Sequence, residues 1–221
     1  MQYFTEDYLN FFKELRKNNN RDWFHKQKKR YEVSVKNPFT HFITAVIEEI
    51  QKQQTLNADA KDCILRINRD IRFSKDKTPY NLHQTAFVSS GGRKNKSIPG
   101  IFLRLSADMV GIMGGCYGPD KDQLVAIRKA IMQDGKPLHK IISSTSFKDK
   151  FGEVRGDKMK RIPKEYQPAA EDDPLIIHKQ FYVMAEEDPA IITSENLLKI
   201  IMDYNQVLRP FNDYLVKAIQ K

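Results

Sequence analysis

The sequence predicts an α+β fold, with a mainly antiparallel sheet of about four to five strands packed by N-terminal helices and a long C-terminal helix. Three observations predict it. Apolar residues recur at helical spacing in the N-terminal quarter and again after Ser194. In the middle, from Cys63 to Tyr117, the spacing changes to period two. The strand-like runs there are separated by short turns without intervening helices, which implies antiparallel neighbours. A length of 221 residues suits one large domain, so a single α+β domain over residues 1–221 is expected.

The elements follow in order. Thr5 can cap a helix that carries Glu6 and Asp7 in its first turn and Tyr8, Phe11, Phe12 and Leu15 on its apolar face. Asn18-Asn19-Asn20 breaks it, because asparagine favours turns and caps. A second helix starts near Arg21, with Trp23, Phe24, Gln27 and Tyr31 on one side. Pro38 restarts a third, in which Phe39, Phe42, Ile43, Val46, Ile47 and Ile50 have helical spacing.

Leu65, Ile67, Ile71 and Phe73 then alternate with polar residues, as in a strand with one buried face. His83 to Val88, Gly100 to Leu105 and Met109 to Tyr117 read as three more strands, with a turn at Ser106-Ala107-Asp108. Gly111, Gly114 and Gly115 leave room on the last of these for a ligand or a packed helix. Gly118-Pro119-Asp120 opens another helix, with the proline in first position and Leu124, Ile127 and Ile131 facing the core. Thr145 to Pro174 reads as short helices and loops, and a further strand is expected near Phe181. Ser194 caps the last helix. Its residues Leu197, Ile201, Tyr204, Leu208, Phe211, Leu215 and Ala218 form a heptad seam, and Pro210 should bend or split it.

Composition narrows the function classes. No apolar run reaches the roughly 20 residues that cross a bilayer. The N-terminal residues lack a signal core, so a cytoplasmic protein without membrane partners is expected. Lys and Arg number 37 against 28 Asp and Glu, a net charge of +9, which attracts polyanions or simply confers solubility. Cys63 and Cys116 sit among apolar residues without a CxxC or a Cys/His cluster, so buried thiols are expected and no metal or other cofactor.

The segment from Arg66 to Tyr80, Arg-Ile-Asn-Arg-Asp-Ile-Arg-Phe-Ser-Lys-Asp-Lys-Thr-Pro-Tyr, concentrates hydrogen-bonding groups. If it is extended, Arg66, Asn68, Asp70, Arg72 and Ser74 share one face. Guanidinium forks match phosphate or carboxylate oxygens, with Asp70 orienting them and Lys75 and Lys77 adding charge from a loop stiffened by Pro79. Arg66, Asp70, Arg72, Lys75 and Lys77 are therefore candidate ligand-binding residues. An internal ion-pair ladder explains the same residues. Arg69 interrupts the alternation, and a bulge near Asn68 would account for it. As acid or base, Asp76, His83 and Tyr80 are the weaker candidates, Asp76 being better than an Asp70 flanked by arginines. Trp23 could stack on a base or pack in its own helix.

Asn19-Asn20-Arg21-Asp22-Trp23-Phe24, the Arg66–Tyr80 segment, Pro99-Gly100, Tyr117-Gly118-Pro119, Lys160-Arg161-Ile162-Pro163-Lys164 and Lys179-Gln180-Phe181 resemble the bacterial and fungal family known as domain of unknown function 2461. Glu165 departs from the glycine usual in relatives. The resemblance implies one α+β domain and supplies no activity, cofactor or catalytic residue. Three readings stand beside it. The first is binding, with or without turnover, of a small phosphorylated or carboxylated ligand. The second is non-specific nucleic-acid binding, to which Arg93, Lys94 and Lys96 contribute. The third is an interaction module whose arginines pair internally. Oligomeric state is not legible.

Overall fold

The computed structural model describes residues 1–220. Strands β1 (His83–Val88), β2 (Gly100–Ser106), β3 (Val110–Cys116) and β4 (Phe181–Glu187) form one antiparallel sheet in that order. Strands β1 to β3 follow one another through short connections, whereas residues 117–180 lie between β3 and its neighbour β4 and carry several helices. At the β2–β3 turn, Ser106 Oγ accepts from the backbone N–H groups of Asp108 at 3.2 Å and Met109 at 3.0 Å, the local bond that favours serine in turns. By Cα proximity the chain divides into two compact units. One comprises Met1–Arg93, Phe102–Ile112 and Glu186–Asp203, and the other Lys94–Ile101, Met113–Ala185 and the residues from Tyr204 onward.

The first unit holds α1 (Glu6–Lys17), α2 (Arg21–Lys26), α3 (Lys28–Tyr31), α4 (Asn37–Gln51) and α5 (Ala60–Cys63). Helix α1 starts after Thr5 and buries Tyr8, Leu9, Phe11, Phe12 and Leu15, although the Thr5 side chain makes no capping bond. Helix α2 is capped by Asn20, whose Oδ1 accepts from Trp23 N at 2.9 Å. A π-helical turn over Glu32–Lys36 joins α3 to α4, which buries the face read from its spacing. The Tyr8 hydroxyl donates to Leu105 O at 3.1 Å and ties α1 to β2. Arg30 forks between Asp7 and Glu14 at 2.6 and 2.7 Å and holds α3 on α1.

The second unit holds α6 (Lys121–Asp134), α7 (Lys136–Ser143), α8 (Thr145–Phe151) and α9 (Gln167–Asp172). Helix α6 begins two residues later than its proline suggests. Asp120 is the cap and forms a reciprocal capping box with Gln123, so Pro119 lies outside the helix. Arg128 on α6 is buried, and it donates from Nε to Ile176 O and from Nη2 to His178 O, both at 2.9 Å.

Helix α10 (Leu197–Ile219) buries all seven seam positions. It runs through Pro210 without splitting. Leu208 and Phe211 on either side of the proline have no exposed surface, and their packing outweighs one lost backbone bond. A side chain at Gly114 would lie 2.2 Å from Leu208, so the glycine of β3 makes room for the helix and not for a ligand.

The first expected strand is absent. Residues 64–73 pair with the chain after Pro79 only through isolated bridges, Ile64 with Ala86 and Asn68 with Tyr80. Phe73, expected to face the core, is 95 % exposed. The reason is local. Asp70 and Asp76 each accept a backbone N–H two residues ahead, which folds the chain into turns that compete with a ladder.

Candidate functional site

Two stretches of the first unit meet at Tyr80. Asn19 Nδ2 donates to Tyr80 O at 2.9 Å, and Tyr80 N donates to Asn19 Oδ1 at 3.1 Å. The Tyr80 ring is buried and stacks on Phe24, with centroids 4.0 Å apart at 16°. Trp23 packs against Phe11 at 5.6 Å. The asparagine–tryptophan stretch therefore positions the base of the arginine-rich loop.

That loop is closed from within. Its ends are joined by Arg69 N to Pro79 O at 2.9 Å and Asn81 N to Ile67 O at 2.8 Å. The Arg69 guanidinium reaches across it to Asp76 Oδ2 at 2.5 Å, to Thr78 O at 3.1 Å and to the Thr78 hydroxyl. Thr78 in turn donates to Asp76 from its N–H at 2.9 Å and from its hydroxyl at 3.0 Å. Lys77 Nζ donates to Ile71 O at 3.0 Å and spans the same turn. Arg69 keeps only 24 % of its side chain exposed, because it is the post around which residues 70–78 are wound.

The outward side is different. Arg72 is 76 % exposed and bonds Asp70 through Nη2 at 2.6 Å and Nε at 3.0 Å. Its guanidinium lies 5.8 Å from the centroid of the bare Phe73 ring. Arg66 and Lys75 are exposed and make no hydrogen bond or ion pair among the described residues. Arg72, with a lesser contribution from Arg66, holds Asp70 down to about 2. The Thr78 N–H, then Arg69, holds Asp76 at about 2 as well. Both carboxylates are thus anions and very weak proton acceptors. His83 is held down to about 4 by burial and by Arg104.

The sequence-derived candidates fall into two groups. Arg66, Asp70, Arg72 and Lys75 lie on the exposed side of the loop. Asp76, Lys77 and Tyr80 are engaged in closing it. Arg93, read as a phosphate contact, donates to Ile64 O at 3.2 Å and to Lys61 O, while Lys94 and Lys96 are exposed. Sequence reasoning missed Arg69, whose misfit to the alternation was the available signal. It also did not foresee that Asn19 holds the Tyr80 backbone or that the Thr78 hydroxyl bonds Asp76. Among the described residues, no three His, Cys, Asp or Glu side chains gather so as to hold a metal ion, and no helix is long and apolar enough to cross a membrane. No curated protein matches the chain. Residues 7–214 match the family described as "Conserved hypothetical protein (DUF2461)", and the chain belongs to that family.

Proposed function

We propose that the Arg66–Tyr80 loop is a preorganised recognition element for a phosphate-bearing ligand with a planar base, a nucleotide unit either free or within a single strand. The observation that carries this reading is the Phe73 ring, 95 % exposed on a loop whose backbone is clamped beneath it. A single bare apolar side chain is common on protein surfaces, and what distinguishes Phe73 is the exposed Arg72 guanidinium 5.8 Å from its ring centroid on the same clamped loop. Every base has a face that can stack on such a ring, at about 1–3 kcal/mol per base. Arg72 beside the ring, with Arg66 and Lys75, would hold the phosphate, and Asp70 would orient Arg72. Binding is proposed without turnover, because neither Asp76 nor Asp70 is a competent base at the pKa of about 2 that their partners impose. The Arg69–Asp76 network favours the internal-pairing reading for those two residues and leaves the outward cations to the ligand.

The test is fluorescence anisotropy with a labelled oligothymidylate at low salt, competed by a mononucleotide and by inorganic phosphate. Binding should weaken roughly tenfold or more in Phe73→Ala. Competition by the mononucleotide at its own affinity would assign a free nucleotide, and competition only by strands would assign single-stranded nucleic acid. Absence of binding by all three, or a Phe73→Ala variant that binds as wild type, would overturn the proposal.

A further inference from the structure

We propose that Arg104 and His83 form a second anion subsite, on the face of β1 and β2 that points away from the buried leucines, and that it takes a small oxyanion such as phosphate or a carboxylate. Alternation along β2 leaves Ile101, Leu103 and Leu105 with almost no exposed surface and turns Phe102 and Arg104 to the other side. The Phe102 ring meets Phe87 of β1 with centroids 6.5 Å apart, so Phe87 shares that face. Period two then brings Thr85 and His83 to it as well. Arg104 Nε is cut off from solvent and has no hydrogen-bond partner among the described residues. Arg104 also forms no salt bridge there, and neither does His83.

A buried guanidinium N–H is normally paired. Arg128 shows how this chain satisfies one without a carboxylate, by aiming it at two carbonyl oxygens at 2.9 Å. Arg104 has no such arrangement at Nε. His83 shares the face and is near enough for Arg104 to disfavour its protonated form, so an acceptor with negative charge would suit both groups at once. An oxyanion would accept from the Arg104 Nε–H and from a protonated His83 imidazole, and its charge would favour that proton. None of the loop cations proposed above takes part, so the two sites stand or fall separately.

The experiment is an NMR titration of the His83 imidazole in the full chain, in sodium chloride and in sodium phosphate at equal ionic strength, with sodium acetate as a third arm. Phosphate or acetate should raise the His83 midpoint by about one pH unit or more, which corresponds to about tenfold tighter anion binding by the protonated form. Arg104→Met should abolish the rise, and Arg104→Lys should reduce it. The Arg72→Met/Lys75→Met double variant should leave it intact. An identical wild-type midpoint in all three salts overturns the proposal without recourse to any variant. So does a rise that survives in Arg104→Lys undiminished but disappears in the double variant, since the anion would then sit on the loop.

Discussion

Asn19 pairs with the backbone of Tyr80 as a neighbouring strand would, accepting from its N–H at 3.1 Å and donating to its carbonyl at 2.9 Å. One side chain thereby satisfies both polar groups of a buried residue that no regular ladder reaches. Asn19→Ala should cost about 1–3 kcal/mol, because both groups lose their partner together. A urea midpoint measures the loss, and hydrogen exchange should locate it at the Tyr80 amide. An unchanged Tyr80 exchange rate would mean that the stacking on Phe24 alone positions the loop.

Arg69 and Arg72 should behave oppositely. Arg69→Met removes the post of the loop and leaves the Thr78 carbonyl without its donor, at about 1–3 kcal/mol. Arg72→Met removes one partner of an exposed pair, and such pairs contribute little. Its denaturant midpoint should match wild type. A large loss at Arg72 with none at Arg69 would show the internal network to be the other one.

Ligand binding at the loop should be salt-dependent and indifferent to base sequence. Phosphate contacts release counterions, whereas stacking on Phe73 reads no base edge. Raising salt should lower oligonucleotide affinity with a slope reduced by about one in Lys75→Met. A slope near zero, or tight preference for one sequence, contradicts this.

His83 should make stability depend on mild acidity. Its folded pKa of about 4 lies below the ordinary value of 6.5, because burial and Arg104 disfavour the cation. Between these values the unfolded chain holds the extra proton. The contribution is therefore complete above about pH 6.5 and is lost as pH falls towards about 4, a change of about 3 kcal/mol. His83→Gln should flatten the denaturation midpoint across that window. An unaltered pH profile in the variant would place the titration elsewhere.

Arg128→Met should be among the more damaging substitutions, at about 2–4 kcal/mol, since it strips the donors from Ile176 O and His178 O. Thermal unfolding measures it. A neutral result would mean that water reaches both carbonyls.

The sequence by itself determined the helices, the four strands of the sheet and the seam. The spacing of Phe39 to Ile50 and of Leu197 to Ala218 admits one buried face each, and alternation with turn residues marks His83–Val88 and Gly100–Cys116. Such patterns are legible because burial of apolar surface repeats with the geometry of the element. The sequence also singled out Arg66–Tyr80, through its density of charge. What that density did became visible only in three dimensions. Leu65, Ile67, Ile71 and Phe73 have the period of a strand, yet Phe73 is bare, because Asp70, Asp76 and Arg69 bond their own loop and leave Ile71 and Phe73 no ladder to join. Asn19 and Tyr80 are 61 residues apart, and no local pattern pairs them. Pro210 reads as a break and stays helical, because Leu208 and Phe211 are held by packing on both sides of it. Within a helix or a paired strand, local spacing determines which residues turn inward. Only long-range packing decides whether a polar side chain closes a loop, as Arg69 does, or stands unpaired beneath a sheet face, as Arg104 Nε does.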